Sequence, residues 1–307
     1  MTRQGPRESG RPRAQTARGP HPILAGAVEF GLQPALLAGA LLVWLPFRER
    51  PEIYLAVLVA AQALLAVLER RFAARRDWLQ ERREQLANLA LVAGFTAFAG
   101  GAALLYRSGL AEPLAALRAD LGLELWPSGW PLPARILLAF LASELVWYWI
   151  HRSEHRFALL WRASGHGVHH SFARLGAINF NTNHPLEALL IVLPMTLIAL
   201  LFGAGEEAGA ASLLVAINAS IVHSNLELNA KGIGWLFTTN RHHFRHHSRV
   251  FDESNTNYGC AAIVWDRVFG TFEDGPTREV GIGPTEPGLW QKLLLPVRQP
   301  SDVTVAP

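Results

Sequence analysis

The chain has 307 residues, of which 50% are hydrophobic and only 17% charged. Soluble domains carry about 25% charged residues, so the deficit points to burial in a membrane, and the apolar content excludes a disordered chain. A single cysteine, Cys260, excludes a disulfide framework, and a net charge of +3 does not make nucleic acid a partner.

Residues 1–22 hold Arg3, Arg7, Arg11, Arg13 and Arg18 among Gly, Pro, Gln and Ser. Such a segment buries too little to fold and is expected to be a disordered basic tail. It lacks the short apolar stretch and cleavage site of a signal peptide. Ile23–Phe47 is nearly all apolar, with Glu29 and Pro34 inside it, and is long enough to cross ~30 Å of hydrocarbon at ~1.5 Å per residue. Ile53–Leu68 is a second apolar run. The arginine-rich segment 69–85 follows, with Arg70, Arg71, Arg75, Arg76, Arg82 and Arg83. Leu86–Leu105 is a third run. Tyr106–Pro133, with Trp126, Trp130 and four prolines, reads as a loop or interfacial stretch. Ala134–Ile150 is a fourth run. Leu186–Val222, broken at Gly203–Gly209, reads as two helices joined by a tight turn. Residues 276–307 are rich in Pro and Gly and read as a surface tail.

The expected fold is therefore all-α: an integral, multi-pass membrane bundle of about four long helices or hairpin arms. Residues 23–133 form its N-terminal spanning region, and residues 134–275 form a second domain. The tail and the 69–85 segment are the arginine-rich ones, which places them in the cytoplasm. Counting crossings returns the chain to that side near His151 and again near His223. The helical cap that follows is thus cytoplasmic.

Eleven of twelve histidines fall between His151 and His247. His151 and His155 are spaced i, i+4 at the end of the fourth run. His166, His169 and His170 are spaced i, i+3, i+4, and His243, His246 and His247 repeat that pattern. His223 ends the second arm of the hairpin. These spacings put imidazoles on one helical face. Neutral imidazoles crowded beside a bilayer are costly unless each nitrogen has a partner, and a metal ion supplies one. Imidazole suits Zn, Cu, Fe and Ni. About nine histidines exceed the four ligands of a structural zinc site and suffice for two metals with open positions. Such a site points to oxygen chemistry or to hydrolysis, and the spacing alone leaves both open, beside a metal-binding protein without catalysis.

The pattern H-x-x-x-H, H-x-x-H-H, H-x-x-H-H resembles that of the fatty acid hydroxylase and sterol desaturase superfamily of membrane di-iron enzymes. The flanks resemble it too: Glu144 to Arg152 around the first box, Trp161 to Ser171 around the second, and Asn257-Tyr258-Gly259 with Trp265 to Thr271 near the end. The doubled histidines at 242–247 look closest to the alkylglycerol monooxygenase-like branch. The resemblance covers roughly residues 140–275 and makes 134–275 a fatty acid hydroxylase-like domain. It implies two iron ions, with O2 as co-substrate and two electrons from a separate donor, cytochrome b5-like or a ferredoxin with its reductase. The C–H bond attacked would belong to a membrane lipid, fatty acyl, sterol-like or ether, by hydroxylation or desaturation. The ligands it implies are His151, His155, His166, His169, His170, His223, His243, His246 and His247. His242 is a further ligand or orients a neighbour. His184, in a His184-Pro185-Leu186-Glu187 element similar to one in sterol-type members, is a ligand or part of a helix-start turn. Glu144, Glu154, Asp252 and Asp266 are candidate partners for imidazole N–H groups. Arginines 152, 156, 241, 245 and 249 could pair with acids, lipid headgroups or the donor. Trp147, Trp149 and Trp161 line a substrate tunnel or pack the core. Against this stands the reading of a dizinc membrane hydrolase, which needs a general base beside the metals.

Overall fold

A computed structural model describes residues 22–122, 125–298 and 303. The basic tail read over 1–22 lies outside them except for Pro22, as does most of the segment after 298. The described residues are helical, with no strand among them; Ala73 with Leu226, and Ser248 with Val280, form isolated bridges.

Four helices are long and apolar enough to cross a membrane: α1 (Pro22–Trp44), α2 (Pro51–Phe72), α3 (Arg82–Asp120) and α4 (Leu132–Arg156). Pro51 sits in the first turn of α2, where its missing N–H costs nothing. Glu81 and Glu84 form a reciprocal cap at the start of α3. The outward faces are apolar: Leu42, Val43, Leu55, Val59, Val67, Leu104 and Leu105 are all more than half exposed. In water each such side chain forgoes about 1.5–3 kcal/mol of burial, whereas against lipid tails there is no such loss.

The third element departs from expectation. Residues 106–120 continue α3 instead of forming a loop, giving one helix of 39 residues. Pro113 removes a single i→i−4 bond, and the Leu, Ala, Glu and Arg residues around it are strong helix formers that carry the helix across. The Tyr106 hydroxyl donates to the Leu189 carbonyl at 2.9 Å and ties this extension to the next hairpin.

That hairpin has the expected form: α7 (Ala188–Leu201) and α8 (Glu206–His223), joined at Gly203 with φ +79°. They follow two short helices, α5 (Ala158–Ser164) and α6 (Gly167–His170). α8 is apolar on all sides and runs through the centre, packed against α1, α2 and α4, with Leu213, Ile217 and Ile221 fully buried. A Cβ on Gly209 would lie 2.9 Å from Trp44, so glycine sets how closely α1 and α8 approach. Gln33 of α1 donates to Asn218 of α8 at 2.8 Å and to the Thr238 carbonyl at 2.9 Å, a polar tie within this core.

The loop after α2 packs on the histidine-bearing half. The last turn of α2 carries Glu69, whose carboxylate accepts from the Ala177 and Asn225 N–H groups at 2.7 and 2.8 Å. Gln80 donates to Asn179 at 2.7 Å and to the Arg174 carbonyl at 3.0 Å. The arginine-rich loop and the histidines thus share one end of the bundle.

The remaining helices are short: α9 (Asn240–His246), α10 (Phe251–Ser254), α11 (Val264–Phe269) and α12 (Leu289–Leu294). The last corrects the expectation of a surface tail. Val280, Ile282 and Leu295 are buried with Trp78, Leu91, Trp161, Val168, Phe172 and Leu175 in a second core. Lys292 is buried too, with its ammonium 3.6 Å from the Phe172 ring centroid and 2.6 Å from Glu286. Pro and Gly shape this strap; its few apolar residues anchor it.

Candidate metal centre

The histidines reach the site from four elements. α4 presents His151 and His155 one turn apart. It stops at Arg156, and α5 leads to Gly165 at φ +76°, whose turn brings His166 round to start α6 with His169 and His170. His223 is the last residue of α8, and α9 carries His243, His246 and, at its end, His247.

All nine lie in two buried groups. The first is His151, His155, His166, His170 and His246; the second is His169, His223, His243 and His247. In the first, Nε2 faces Nε2 throughout: His151 to His166 at 3.1 Å, His155 to His166 at 3.0 Å, His155 to His170 at 3.1 Å and His246 to His151 at 3.0 Å. In the second, His243 to His223 is 3.1 Å, His247 to His169 is 3.2 Å and His247 to His243 is 3.0 Å.

The opposite nitrogens fix the tautomers. His151 Nδ1 donates to the Tyr258 carbonyl at 2.6 Å, His246 Nδ1 to Thr256 at 2.9 Å and His223 Nδ1 to Ala219 at 2.7 Å. A neutral imidazole has one N–H, so His151 and His246 turn bare Nε2 lone pairs towards each other at 3.0 Å, and His223 turns one towards His243. Burial first, and the neighbouring imidazoles second, hold His166, His169, His170, His243 and His247 well below the usual histidine range; His246 is lowered chiefly by burial and by His151. The charged imidazolium forms are thereby disfavoured.

A metal ion fits this donor set. Lone pairs that converge without protons repel unless a cation lies among them, and neutral imidazole is the ligating form. Two nitrogens ~2.1 Å from one ion at right angles lie ~3.0 Å apart, the spacing seen here. Glu154 and Glu187 flank His166 and are buried, yet among the described residues neither pairs with Arg or Lys. Burial, and then the Glu154 charge, raise the Glu187 carboxyl well above its ordinary range. A cation held at Nε2 of His166 would supply the charge that lets these two acids ionise.

The other candidates take different places. His242 is buried against Phe272, with Nδ1 3.2 Å from the Thr239 hydroxyl, and belongs to neither group. His184 is also outside both. Its Nδ1 accepts from the Leu186 N–H at 3.2 Å, which caps the turn at Pro185–Glu187, and Nε2 donates to the Leu293 carbonyl at 3.2 Å. Glu144 and Asp266 contact backbone instead of imidazole. Glu144 accepts from Ala261 and Ala262 at 2.8 and 3.1 Å, and Asp266 from Tyr258 and Gly259, both at 2.7 Å. They hold the loop that supplies the Tyr258 carbonyl to His151. Asp252 is exposed. The acid that does bond an imidazole is Glu187, whose signal in the sequence was only its place in the H-P-x-acid element; His166 Nδ1 donates to it at 2.7 Å. Trp147 stacks on His151 at 5.2 Å, and Trp161 packs on His155 and His170 at 5.2 and 5.4 Å. Trp149 is 46% exposed. Arg241 pairs with Asp274 and Arg245 with Glu273, both at 2.5 Å, and Arg249 pairs with Glu279.

Residues 136–271, which include all nine histidines, match the family model for fatty acid hydroxylase, and the resemblance read from the boxes holds. The chain is 28% identical over 289 residues to ornithine lipid hydroxylase OlsE of Rhizobium tropici, covering 89% of this chain and 85% of that protein. It is 29% identical over 153 residues to alkylglycerol monooxygenase of Danio rerio, covering 48% of this chain and 31% of that protein. For the Homo sapiens enzyme of that name the values are 27% over 172 residues, 52% and 35%. No solved structure matches the chain.

Proposed function

We propose that this protein, with its fatty acid hydroxylase domain built on two buried histidine groups, is a membrane di-iron oxygenase that hydroxylates a C–H bond of a lipid. The observation that carries this reading is the convergence of five and four imidazoles on two adjacent points. His151, His155, His166, His170 and His246 would hold one iron, and His169, His223, His243 and His247 the other. Bound there, two irons supply the means to activate O2 with two electrons from a separate donor protein and to oxidise an unactivated C–H bond. Desaturation of the same carbons is the variant outcome.

The chain's own residues do the holding and the shielding. The carbonyls of Tyr258, Thr256 and Ala219 keep three rings in the tautomer that frees Nε2. Trp147 stacks on His151, and Trp161 meets His155 edge to face, and both exclude water. The exposed apolar faces of α1 to α3 let a lipid approach sideways from the bilayer, with its reactive carbon directed to the cytoplasmic end. The breadth of the match to an ornithine lipid hydroxylase makes polar membrane lipids the first substrates to test. Glu154 and Glu187 lie on the Nδ1 side of His166, behind the ring instead of at Nε2. That position suits tuning of a ligand better than the general base a dizinc hydrolase requires.

The test is metal analysis and O2 consumption on purified protein, with lipid profiles of cells carrying the intact protein or His169→Ala. Two equivalents of iron and an oxygenated lipid lost in the variant are expected. Zinc alone with no O2-dependent product, or turnover without O2 and reductant, would sink the proposal.

A further inference from the structure

Among the described residues, one imidazole of the nine has carboxylates within ion-pair distance. His166 Nδ1 lies 2.7 Å from Glu187 Oε1 and 3.7 Å from Glu154 Oε2. His151, His246 and His223 donate instead to neutral backbone carbonyls. The three side chains are almost fully buried, at 1%, 1% and 0% exposure for His166, Glu187 and Glu154. Ser164 is the one hydroxyl that Glu154 meets, and only one oxygen of Glu187 has a hydrogen-bond partner. Carboxylate capacity is therefore concentrated behind one ring of one group.

Resting on the dimetal reading above, we propose that Glu187, backed by Glu154, is a positioning residue that makes the two metal positions unequal. A carboxyl oxygen that accepts the Nδ1 proton at 2.7 Å orients the ring and leaves Nε2 a stronger donor than a backbone carbonyl partner does. His166 also stands midway in the run of Nε2 contacts, within 3.1 Å of both His151 and His155. A more basic His166 strengthens the five-histidine position, and among the described residues no equivalent acid stands behind the four-histidine one. The placement is local and rigid. Pro185 and the His184 cap start the turn whose last residue is Glu187, at the head of α7. The sequence thus spends its H-P-x-acid element on orienting a ligand.

The inference predicts that the five-histidine position holds its ion more tightly and that Glu187 variants weaken that position alone. The experiment titrates Co(II) into metal-free protein in detergent, following ligand-field absorption and bound equivalents, for the wild type, Glu187→Gln and Glu187→Ala. Gln keeps an acceptor and removes the carboxyl; Ala removes both. The wild type should bind two equivalents with distinct affinities and spectra. The stronger equivalent should weaken about 10- to 100-fold in the variants, more in Ala than in Gln, with the weaker equivalent and its bands unchanged. Two wild-type equivalents that Glu187→Gln leaves untouched, or weakens equally, overturn this inference and spare the dimetal reading. Fewer than two wild-type equivalents overturn both.

Discussion

Asp266 controls the His151 imidazole without touching it. Its carboxylate accepts from the N–H groups of Tyr258 and Gly259, each at 2.7 Å, and the Tyr258 carbonyl so fixed accepts the His151 Nδ1 proton at 2.6 Å. The Thr271 hydroxyl completes the grip at 2.7 Å. Asp266→Ala leaves two buried N–H groups without acceptors, at about 1–3 kcal/mol each. The variant should lower the denaturation midpoint in detergent and also lose bound metal, because His151 is then free to turn. A variant that melts early but keeps its full metal content would limit Asp266 to a purely structural role.

His169→Ala and His246→Ala sample different groups. Each should remove one metal equivalent, leave the other measurable by elemental analysis, and abolish the oxygenated lipid. If both variants lose the same equivalent, the division into five and four is wrong.

His184 offers a sharper contrast. As the N-cap of the turn before α7, it should tolerate replacement by another good cap. Asn is such a residue, and His184→Asn should shift stability by under ~1 kcal/mol and keep both metal equivalents. Loss of an equivalent would make His184 a ligand. Gly165→Ala should do more harm. Its Cβ would lie 2.6 Å from the His184 Cβ, at a φ that alone costs about 1–2 kcal/mol.

Acid should weaken the metal-free protein in a defined direction. Buried His166, His169, His170, His243, His246 and His247 have lowered folded-state values, while the unfolded chain takes up protons near pH 6.5. Their contribution is present above ~6.5 and is lost as pH falls below it, because the unfolded state then binds more protons. Denaturation midpoints should be flat from pH 8 to 7 and fall steeply towards pH 5. A midpoint independent of pH over that range would contradict the burial of the cluster.

The strap after residue 276 should be needed for stability. Ile282→Ala or Leu295→Ala opens the second core beneath α6 and should cost about 2–5 kcal/mol, read as a lower thermal midpoint. An unchanged midpoint would return this segment to the surface.

Eight of the nine clustered histidines could be read from the chain because i, i+3, i+4 spacing survives any tertiary arrangement, the face being set once the helix forms, while the lone His223 entered through the resemblance. The helix ends in α4 and the break at Gly203 were legible for the same local reason. What was not legible depended on partners distant in the chain. Glu144 and Asp266 sit in the right motifs, yet their bonds go to backbone brought in by the 258–262 loop. Glu187 becomes the acid behind His166 only when the turn at 185–187 folds against α5. The reach of α3 past Tyr106 was hidden by Pro113, which reads as a breaker but sits among residues that favour helix. The strap was hidden by its composition, since three or four apolar anchors do not show against Pro and Gly.

Both histidine groups draw on α9, so neither is complete until translation has passed His247. A growing chain exposes two boxes that can chelate, yet it lacks the residues that close either group. A closed group therefore forms only once α9 is seated against α4 and α8, so the last histidine helix to be made is the one that joins the two halves of the site.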